Sequence, residues 1–333
     1  MAYFARRIGF FLATLWGAVT LNFLIPRLSP GDPAQAILLR LAGRSGSNQV
    51  DPAQLAAVRA MLGVPDAPLW RQYLDYLGNL ARGDFGVSYT YFPYEVSEVV
   101  GEALPWTIVL VGVTLVLSFV IGTLLGTWVA WRRGSTFDTV LTVGSSFVGT
   151  LPFFWIALLL IYVFAITLGW FPASGGYSGA LEPALTPQFL ADAWPHFVLP
   201  AAAIMVTGPI GWLLGMRNNM VQSLGEDFAR FGRAKGLSDR RLAIDYGARV
   251  AILPNVTGFA LALGGLVGGT VLVEQTFNYP GTGRLLLEAV ANKDFPLMQT
   301  IFLMVAVGVL LANLVADLLY GVLDPRARRK EAA

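Results

Sequence analysis

Six stretches of this sequence contain no Asp, Glu, Lys or Arg and are each long enough to cross a lipid bilayer. They run over Ile8–Pro26, Ala103–Trp131, Thr139–Leu181, Ala193–Met216, Val250–Val273 and Phe295–Ala316. A helix of about 20 apolar residues spans a hydrocarbon core of about 30 Å. Charged residues make up only 13% of the chain, against roughly 25% in a soluble domain. The sequence therefore predicts an all-α polytopic membrane protein with six transmembrane helices.

The first and third stretches each allow a second interpretation. The second half of the third is broken by Gly169, Pro172 and three further glycines, so this stretch predicts one span rather than two. The first follows Arg6 and Arg7, as the core of a signal peptide would. It is longer than such a core, and no small-residue cleavage site follows it. We therefore expect it to be retained as the first transmembrane helix.

The distribution of Lys and Arg predicts the orientation. Basic residues stand at Arg6-Arg7, at Arg132-Arg133, at four positions after the sixth stretch and at seven positions between the fourth and fifth, from Arg217 to Arg249. The loop from Trp170 to Pro195 contains none. Because short cytoplasmic loops carry the excess of Lys and Arg, both termini and the segment between spans four and five are predicted to be cytoplasmic. The protein is accordingly expected to be a multi-pass protein of the cell (inner or plasma) membrane.

These predictions divide the chain into four segments. They are the cytoplasmic N-terminus with the first span (1–27), a sizeable outer segment (28–102), a five-helix core (103–323) that includes the cytoplasmic loop 217–250, and a cytoplasmic tail (324–333). In the outer segment, Asp51 and Pro52 predict the start of a helix that reaches Leu62. Gly43–Gln49 predicts a flexible loop, and the apolar spacing of Leu69–Leu80 predicts a helix lying against the membrane or the other spans.

The stretch RAKGLSDRRLAI, Arg233–Ile244, places four cations within nine residues of the loop between spans four and five. The preceding residues favour a helix, Gly236 interrupts it, and Ser238 is the expected N-cap of a second short helix with Asp239 in its first turn. Pro254 is then predicted to open the fifth span. Two short helices joined at a glycine form a rigid projection. It lies against lipid headgroups or is held by a soluble partner, and the residues leave both open.

A longer stretch around this loop resembles a known family of membrane proteins. RAKGLSDRRLAIDYGARVAILPN, Arg233–Asn255, is similar to the cytoplasmic loop of ABC-importer permeases in the dipeptide/oligopeptide/nickel branch. Further stretches resemble the same branch in the same order: SPGDPA (Ser29–Ala34), LARGDFGVSY (Leu80–Tyr89), FNYPGTGRLLLEAV (Phe277–Val290), KDFPLMQ (Lys293–Gln299) and LYGVLDPRAR (Leu319–Arg328). The likeness covers nearly the whole chain, and the ordered set is more specific than any one motif.

The resemblance implies that this loop forms coupling helices that fit into a cleft on an ATPase subunit. The matching residues are Ala234, Lys235, Gly236, Leu237, Ser238 and Arg241, with Gly236 as the joint and Leu237 as an exposed apolar anchor. The implied partners are a homologous second permease subunit, two cytoplasmic ABC ATPase subunits, an extracytoplasmic substrate-binding protein and membrane lipid. One departure is Arg230-Phe231-Gly232 in place of Glu-Ala-Ala, so the bulky Phe231 is expected to require a matched ATPase.

The sequence offers no catalytic or cofactor site. A P-loop ends in Gly-Lys-Ser/Thr, whereas Lys235, Lys293 and Lys330 are followed by Gly, Asp and Glu. ATP hydrolysis is therefore expected on separate subunits. The chain has no cysteine, which excludes disulfides and Cys-based metal sites, and nucleic-acid binding has no support.

Two other classes of protein compete with the permease. An ion-coupled secondary carrier needs ionisable groups near the middle of the membrane, but Asp317 lies about one turn from the cytoplasmic end of the last span. A structural membrane component would not copurify with an ATPase. In span five, small residues four apart are expected to permit close helix contact; they are Gly264, Gly265, Gly268 and Gly269.

The resembling branch carries short peptides, nickel chelates and, in some members, oligosaccharides. A pathway for free metal would group His, Cys or Met ligands, and this chain has one His, no Cys and seven scattered Met. A chelated metal needs no such ligands. The scarcity of metal ligands therefore weakens the hypothesis that nickel is the substrate, but it does not exclude nickel chelates. Short peptides are the preferred substrate class and oligosaccharides the second; the sequence does not identify the residues that line the pathway.

The predicted orientation can be tested because the native chain lacks cysteine. Single variants Ser47→Cys and Ser178→Cys are expected to react with a membrane-impermeant thiol reagent added to intact cells, and Ser238→Cys is not. Permeabilised cells provide the control that Ser238→Cys is reactive once the reagent can enter. Labelling of Ser238→Cys in intact cells would reverse the orientation.

Overall fold

The computed structural model describes residues 2–28, 38, 58–59, 67–179, 181–268 and 270–323, and within them the chain is predominantly helical. The helices are α1 (Ala2–Leu28), α2 (Leu69–Arg82), α3 (Val96–Trp131), α4 (Thr136–Gly149), α5 (Phe153–Leu160, continued by a π-helical stretch Ile161–Thr167), α6 (Pro187–Ser223), α7 (Asp227–Ala234), α8 (Asp239–Gly264), α9 (Val271–Thr276), α10 (Thr282–Asn292) and α11 (Phe295–Leu323). Among these residues β pairing is limited to an isolated bridge between Val87 and Glu95. The all-α prediction is confirmed for this part of the chain.

Several helices are long and apolar enough to cross a membrane. Within the described ranges, α3, α6, α8 and α11 qualify by length and composition, and a fifth span results if α4 and α5 together form one. α1 contains a shorter apolar stretch, Gly9–Ile25. The helix predicted at Leu69–Leu80 is present as α2. Three predictions concern residues outside the described ranges. They are the loop at 43–49, which contains Ser47, the helix at 51–62 apart from Val58 and Arg59, and the tail at 324–333.

The third charge-free stretch, which the sequence predicts as one span, contains a sharp bend. α4 ends at Gly149, α5 begins at Phe153, and the two helices are bent by 91° at the break. Pro152 stands at the N-cap of α5 with a ψ angle of 123°. A proline has no N–H to continue the hydrogen bonds of α4, and α5 begins directly after it. The later glycines and Pro172 follow the end of the helical stretch at Thr167, as expected.

The fifth apolar stretch is part of a longer helix. Pro254, predicted to open the span, lies inside α8, which is continuous from Asp239 to Gly264. Prolines are tolerated inside transmembrane helices because neighbouring groups and local π adjustments satisfy the freed backbone. α8 contains such a π-helical stretch at Leu242–Ala248, before the proline. The prediction of a separate second short helix is therefore wrong, since that helix is the first part of α8.

The chain divides into two compact units. The first combines Met1–Thr107, Val267–Val271 and Pro280–Leu310, and the second combines Ile108–Leu266, Leu272–Tyr279 and Leu311–Ala333. The first unit has a core built by the start of α3 together with α10 and α11. Its buried side chains are Val96, Val100, Ala103, Leu285, Ala289, Leu297, Met298 and Ile301.

A buried carboxylate in the first unit fixes the loop before α3 to the start of α11. Asp294 is fully buried and accepts hydrogen bonds from Ser88 Oγ (2.5 Å) and from the backbone N–H of Thr90 (2.8 Å). It also accepts from the N–H of Leu297 (3.2 Å) and so caps α11. Because several donors satisfy the carboxylate oxygens, its burial does not leave an unsatisfied hydrogen-bond acceptor. Two motifs that are far apart in the sequence meet at this residue.

In the second unit, α3 and α6 approach each other through glycines. A Cβ atom added at Gly122 would lie 2.3 Å from the carbonyl oxygen of Pro209, and one at Gly126 would lie 2.4 Å from that of Leu213. Real Cβ atoms do not come so close, so only glycine fits at either position. Small residues allow transmembrane helices to bring their backbones into contact in this way.

The same series of small residues continues along α3 in both directions, at a spacing of four. Ser118 Oγ would lie 2.4 Å from a Cβ at Gly208. At the other end, Ala130 belongs to a buried cluster that includes Met216 and Met220. The residues that face α6 are therefore one stripe on α3. On α8, the helix ends at Gly264, and Gly265 and Gly268 lie in a 3-10 turn, while Gly269 is outside the described residues. Gly268 still permits a close contact with α11, because a Cβ there would lie 3.2 Å from Val305 Cγ2.

A buried asparagine joins α8 to α3 and α6. Asn255 Nδ2 donates to the carbonyl oxygen of Trp212 (3.0 Å) and to Thr123 Oγ1 (3.4 Å). Beside it, the ring of Phe119 packs edge-on against Trp212 and tilted against Phe259, with centroid distances of 5.4 and 4.6 Å. Polar side chains that bridge helices contribute modestly to stability in membranes, and here one side chain connects three helices.

The glycine contact can be tested by adding a single methyl group. We expect Gly126→Ala to lower the free energy of unfolding by about 1–3 kcal/mol, because the added Cβ overlaps the carbonyl of Leu213. Gly101→Ala is the matched control, since this position on α3 has open space around its Cβ and alanine favours the helix by up to about 1 kcal/mol. Thermal unfolding of the two purified variants would measure the difference. Equal midpoints would contradict the close contact.

Candidate functional site

The segment Ser223–Arg249, here called the basic elbow, connects α6 to α8 and contains α7. It carries six cations and four acids. Asp227 lies in the first turn of α7 and Arg233 in its last turn, which is the arrangement that the helix dipole favours. The buried positions of α7 are the small residues Ala229 and Gly232. The helix can therefore lie close to its neighbours and leave its long side chains outside.

Gly236 ends α7, as the sequence predicts. Its φ angle of 76° is left-handed, a conformation that glycine adopts without strain. The N–H of Gly236 donates to the carbonyl of Arg233 (2.9 Å), and the N–H of Leu237 donates to that of Gly232 (3.2 Å). These are the two hydrogen bonds of a Schellman C-cap. The joint between the helices is thus a hydrogen-bonded turn of defined shape.

Leu237 is not the exposed apolar anchor that the sequence predicts. It is half-buried, and its Cδ1 lies 3.3 Å from the position that a Cβ would take at Gly232. A hydrophobic contact of this kind commonly accompanies a Schellman turn. The large exposed apolar side chain of α7 is instead Phe231, which is 68% exposed. Ile244 and Tyr246 at the start of α8 are exposed as well.

α8 begins directly after this turn. Ser238 occupies the predicted N-cap position, but its side chain makes no capping hydrogen bond. Asp239 lies in the first turn, where a negative charge complements the helix dipole. Arg241 pairs with Asp245 at 3.5 Å, and both side chains are exposed. An exposed pair of this kind contributes less than about 1 kcal/mol, so Arg241 is not tied firmly to its partner.

Close packing holds the basic elbow to the rest of the second unit. Leu242 Cδ1 lies 2.7 Å from the Cβ position of Gly232, and Leu224 Cδ2 lies 2.8 Å from that of Gly247. The core beneath them consists of Ala130, Met216, Met220, Ala243 and Ala251. A larger residue at either glycine would displace a packed leucine. The two glycine contacts hold the parts of the elbow together, and the buried cluster attaches the elbow to α3 and α6.

An ion pair next to the elbow joins α4 to α6. Arg217 was counted among the loop cations, but it lies inside α6 and donates to Asp138 through Nε (2.6 Å) and Nη2 (3.0 Å). Asp138 is only 4% exposed and also accepts from the Gly134 N–H and from Thr142 Oγ1. Bidentate pairs with a fully satisfied carboxylate are stronger than exposed pairs. This pair fixes the start of α4 against the end of α6.

The structure brings the predicted coupling residues together on the outside of one turn. Exposed residues are Ala234, Lys235, Gly236, Ser238 and Arg241, and Leu237 is half-buried among them. Ile244 and Tyr246 are exposed in the same segment and are not among the predicted coupling residues. The helical spacing of the buried positions Leu242, Ala243 and Gly247 was the signal that could have placed both on the outer side.

The exposed side chains of the elbow include several cations and two aromatic rings, Phe231 and Tyr246. Guanidinium, ammonium and aromatic groups are exposed side by side, and no arrangement for nucleophilic or acid–base catalysis accompanies them. Across the described residues, no group of three or more His, Cys, Asp and Glu is placed to hold a metal ion.

Comparison with known proteins connects the chain to membrane transport. The family model for the binding-protein-dependent transport system inner membrane component matches residues 122–329, which include the whole of the basic elbow. The di/tripeptide transport system permease protein DppB of Pseudomonas aeruginosa is 37% identical over 346 residues, with 99% of each chain covered.

Two further relatives show similarity of the same extent. The oligopeptide transport system permease protein AppB of Bacillus subtilis is 34% identical over 326 residues, covering 98% of each chain. The glutathione transport system permease protein GsiC of Escherichia coli is 33% identical over 329 residues, covering 98% of this chain and 99% of that one. This chain therefore belongs to the family of inner membrane components of binding-protein-dependent transport systems.

Proposed function

We propose that this protein is a permease subunit of an ATP-driven ABC importer of short peptides. The observation that carries the proposal is its full-length similarity to permeases named for di- and tripeptides, oligopeptides and glutathione. Glutathione is itself a tripeptide, so the three names share one substrate chemistry. Oligosaccharides and nickel chelates are the alternative substrates that the sequence left open.

The proposed topology has six spans with both termini in the cytoplasm. Four are the helices that qualify alone, α4 and α5 together supply the fifth, and the apolar part of α1 supplies the sixth. The positive-inside distribution of Lys and Arg supports this orientation. It places the basic elbow on the cytoplasmic side, where a soluble ATPase could reach it. The transport pathway would form between this chain and a homologous permease, with substrate delivered by an extracytoplasmic binding protein.

The basic elbow is the proposed contact with the ATPase. An ATPase that moves on binding ATP would displace the elbow, and the structure offers few places where that movement could be absorbed. α8 is one helix of 26 residues that begins in the elbow, so Pro254 does not separate the elbow from the span. The buried cluster links the elbow to α6, and Arg217 links α6 to α4. A displacement at the surface is therefore expected to reach three helices and to favour one of two access states.

A change at Gly236 tests the coupling role. Gly236→Pro is expected to abolish ATP-dependent uptake and to weaken copurification of the ATPase, because proline cannot adopt a φ of 76° and has no N–H for the carbonyl of Arg233. Gly236→Asn is the control, since asparagine enters the left-handed region more readily than other residues with a side chain. It is expected to retain both properties in part or in full.

A surface variant distinguishes a loss of coupling from misfolding of the Gly236→Pro protein. Phe231 is exposed, so Phe231→Asp should leave thermal unfolding unchanged and still weaken copurification of the ATPase. Phe231→Leu keeps an apolar side chain there and should have a smaller effect. Normal uptake by both Gly236→Pro and Phe231→Asp, at normal expression, would rule out the elbow as the coupling site.

The substrate class is tested on the reconstituted importer with its cognate binding protein. Labelled di- to pentapeptides are expected to accumulate in liposomes only with ATP, and faster than short glucans or nickel. Liposomes without ATP give the background for each compound. Peptide uptake at background level, together with clear uptake of glucans or nickel, would end the peptide assignment while leaving the permease assignment intact.

A further inference from the structure

α2 is held against the last part of α1 by aromatic and polar contacts within the first unit. The Tyr73 hydroxyl hydrogen-bonds with Thr20 Oγ1 at 2.7 Å. The Phe23 ring lies between Tyr73 and Tyr76, with centroid distances of 5.1 and 5.5 Å. Arg27 Nε donates to the side-chain oxygen of Gln72 at 3.1 Å. α2 is therefore fixed to α1 along one side.

These contacts define the depth of α2 relative to the membrane. On α1 they reach from Thr20 to Arg27, a length of about 10 Å at 1.5 Å per residue. Most of that length belongs to the charge-free stretch Ile8–Pro26. α2 thus lies beside the end of the apolar part of α1 and not beyond it. With α1 as the first of the proposed spans, side chains on the free side of α2 would lie at the level where hydrocarbon gives way to headgroups.

The free side of α2 is divided into an apolar edge and a polar stripe. The apolar edge, defined by Trp70 and Leu74, is 66% and 57% exposed, respectively. The polar stripe consists of the exposed residues Arg71, Asp75, Asn79 and Arg82. Positions 70 and 74 are one helical turn apart, and so are 71 and 75. The two kinds of residue therefore follow α2 as adjacent lines.

We propose that α2 is an interfacial helix whose apolar edge inserts into the lipid at the end of α1, while its polar stripe faces water. Helices of this kind combine an apolar face with a charged one and lie in the plane of the interface, and tryptophan is enriched at that level. The adjoining half of α1 also exposes Leu21 and Ile25, so lipid is expected to cover both helices. A protein partner is the poorer fit, because interface cores are depleted in charge and two cations and an acid adjoin this edge.

The proposal is tested by spin labels in the full-length, otherwise cysteine-free protein, reconstituted in phospholipid vesicles. Single labels at Trp70→Cys and Leu74→Cys are expected to collide with oxygen several-fold more often than with a water-soluble nickel chelate. Labels at Arg71→Cys and Asn79→Cys on the polar stripe are expected to show the opposite preference. Trp16→Cys, an exposed position further back on α1, provides the reference for full contact with lipid.

Two results would overturn the interfacial helix. Labels at 70 and 74 that collide with nickel as freely as those at 71 and 79 would place the apolar edge in water. Labels that are immobile and reached by neither reagent would show that protein covers it. A second variant tests Trp70 itself: with the label at 74, Trp70→Glu should shift the preference towards nickel, whereas Trp70→Phe should leave it unchanged. No shift with Trp70→Glu would remove Trp70 as an anchor.

Discussion

The backbone contact between α3 and α6 is the interaction on which the second unit depends. Glycine costs about 1 kcal/mol relative to alanine in a helix interior, and α3 has two glycines, Gly122 and Gly126, at the crossing. No hydrophobic force draws helices together in lipid, so dispersion and weak hydrogen bonds between touching backbones have to offset that cost. The next small residue, Ala130, lies in the cluster that supports the elbow from below. The register of the crossing therefore also determines where the basic elbow sits.

Much of the helical framework could be predicted from the absence of charge, because hydropathy measures what lipid tolerates over about 20 residues. The same measure cannot see a bend such as the one at Pro152, where the chain stays apolar on both sides of the break. Hydropathy also does not predict whether a proline ends a helix or lies inside one. Pro152 separates two helices, whereas Pro254 lies inside α8, after a π-helical stretch at Leu242–Ala248.

The candidate site was predictable where backbone chemistry alone decides the outcome. Gly236 is such a position, since a left-handed turn favours glycine in any context. Leu237 is the opposite case: its burial depends on the absence of a side chain at Gly232, a packing fact that appears only in three dimensions. Arg217 likewise counts as a basic loop residue until Asp138 is found beside it. What these residues do with a partner came from family resemblance, because exposure alone does not identify what covers a surface.

In the proposed topology, the exposed apolar side chains of α2 and of α7 lie at different depths. Trp70 on α2 and Phe231 on α7 are about equally exposed, yet they are expected to meet different surroundings. α2 lies alongside the apolar end of α1. α7 instead follows α6, which continues seven residues past the charge-free stretch that ends at Met216, or about 10 Å for a helix along the membrane normal. A headgroup layer is roughly 5–8 Å thick, so α6 is long enough to carry Phe231 clear of the lipid. Of the two surroundings that the sequence left open for the elbow, this length favours a soluble protein over headgroups.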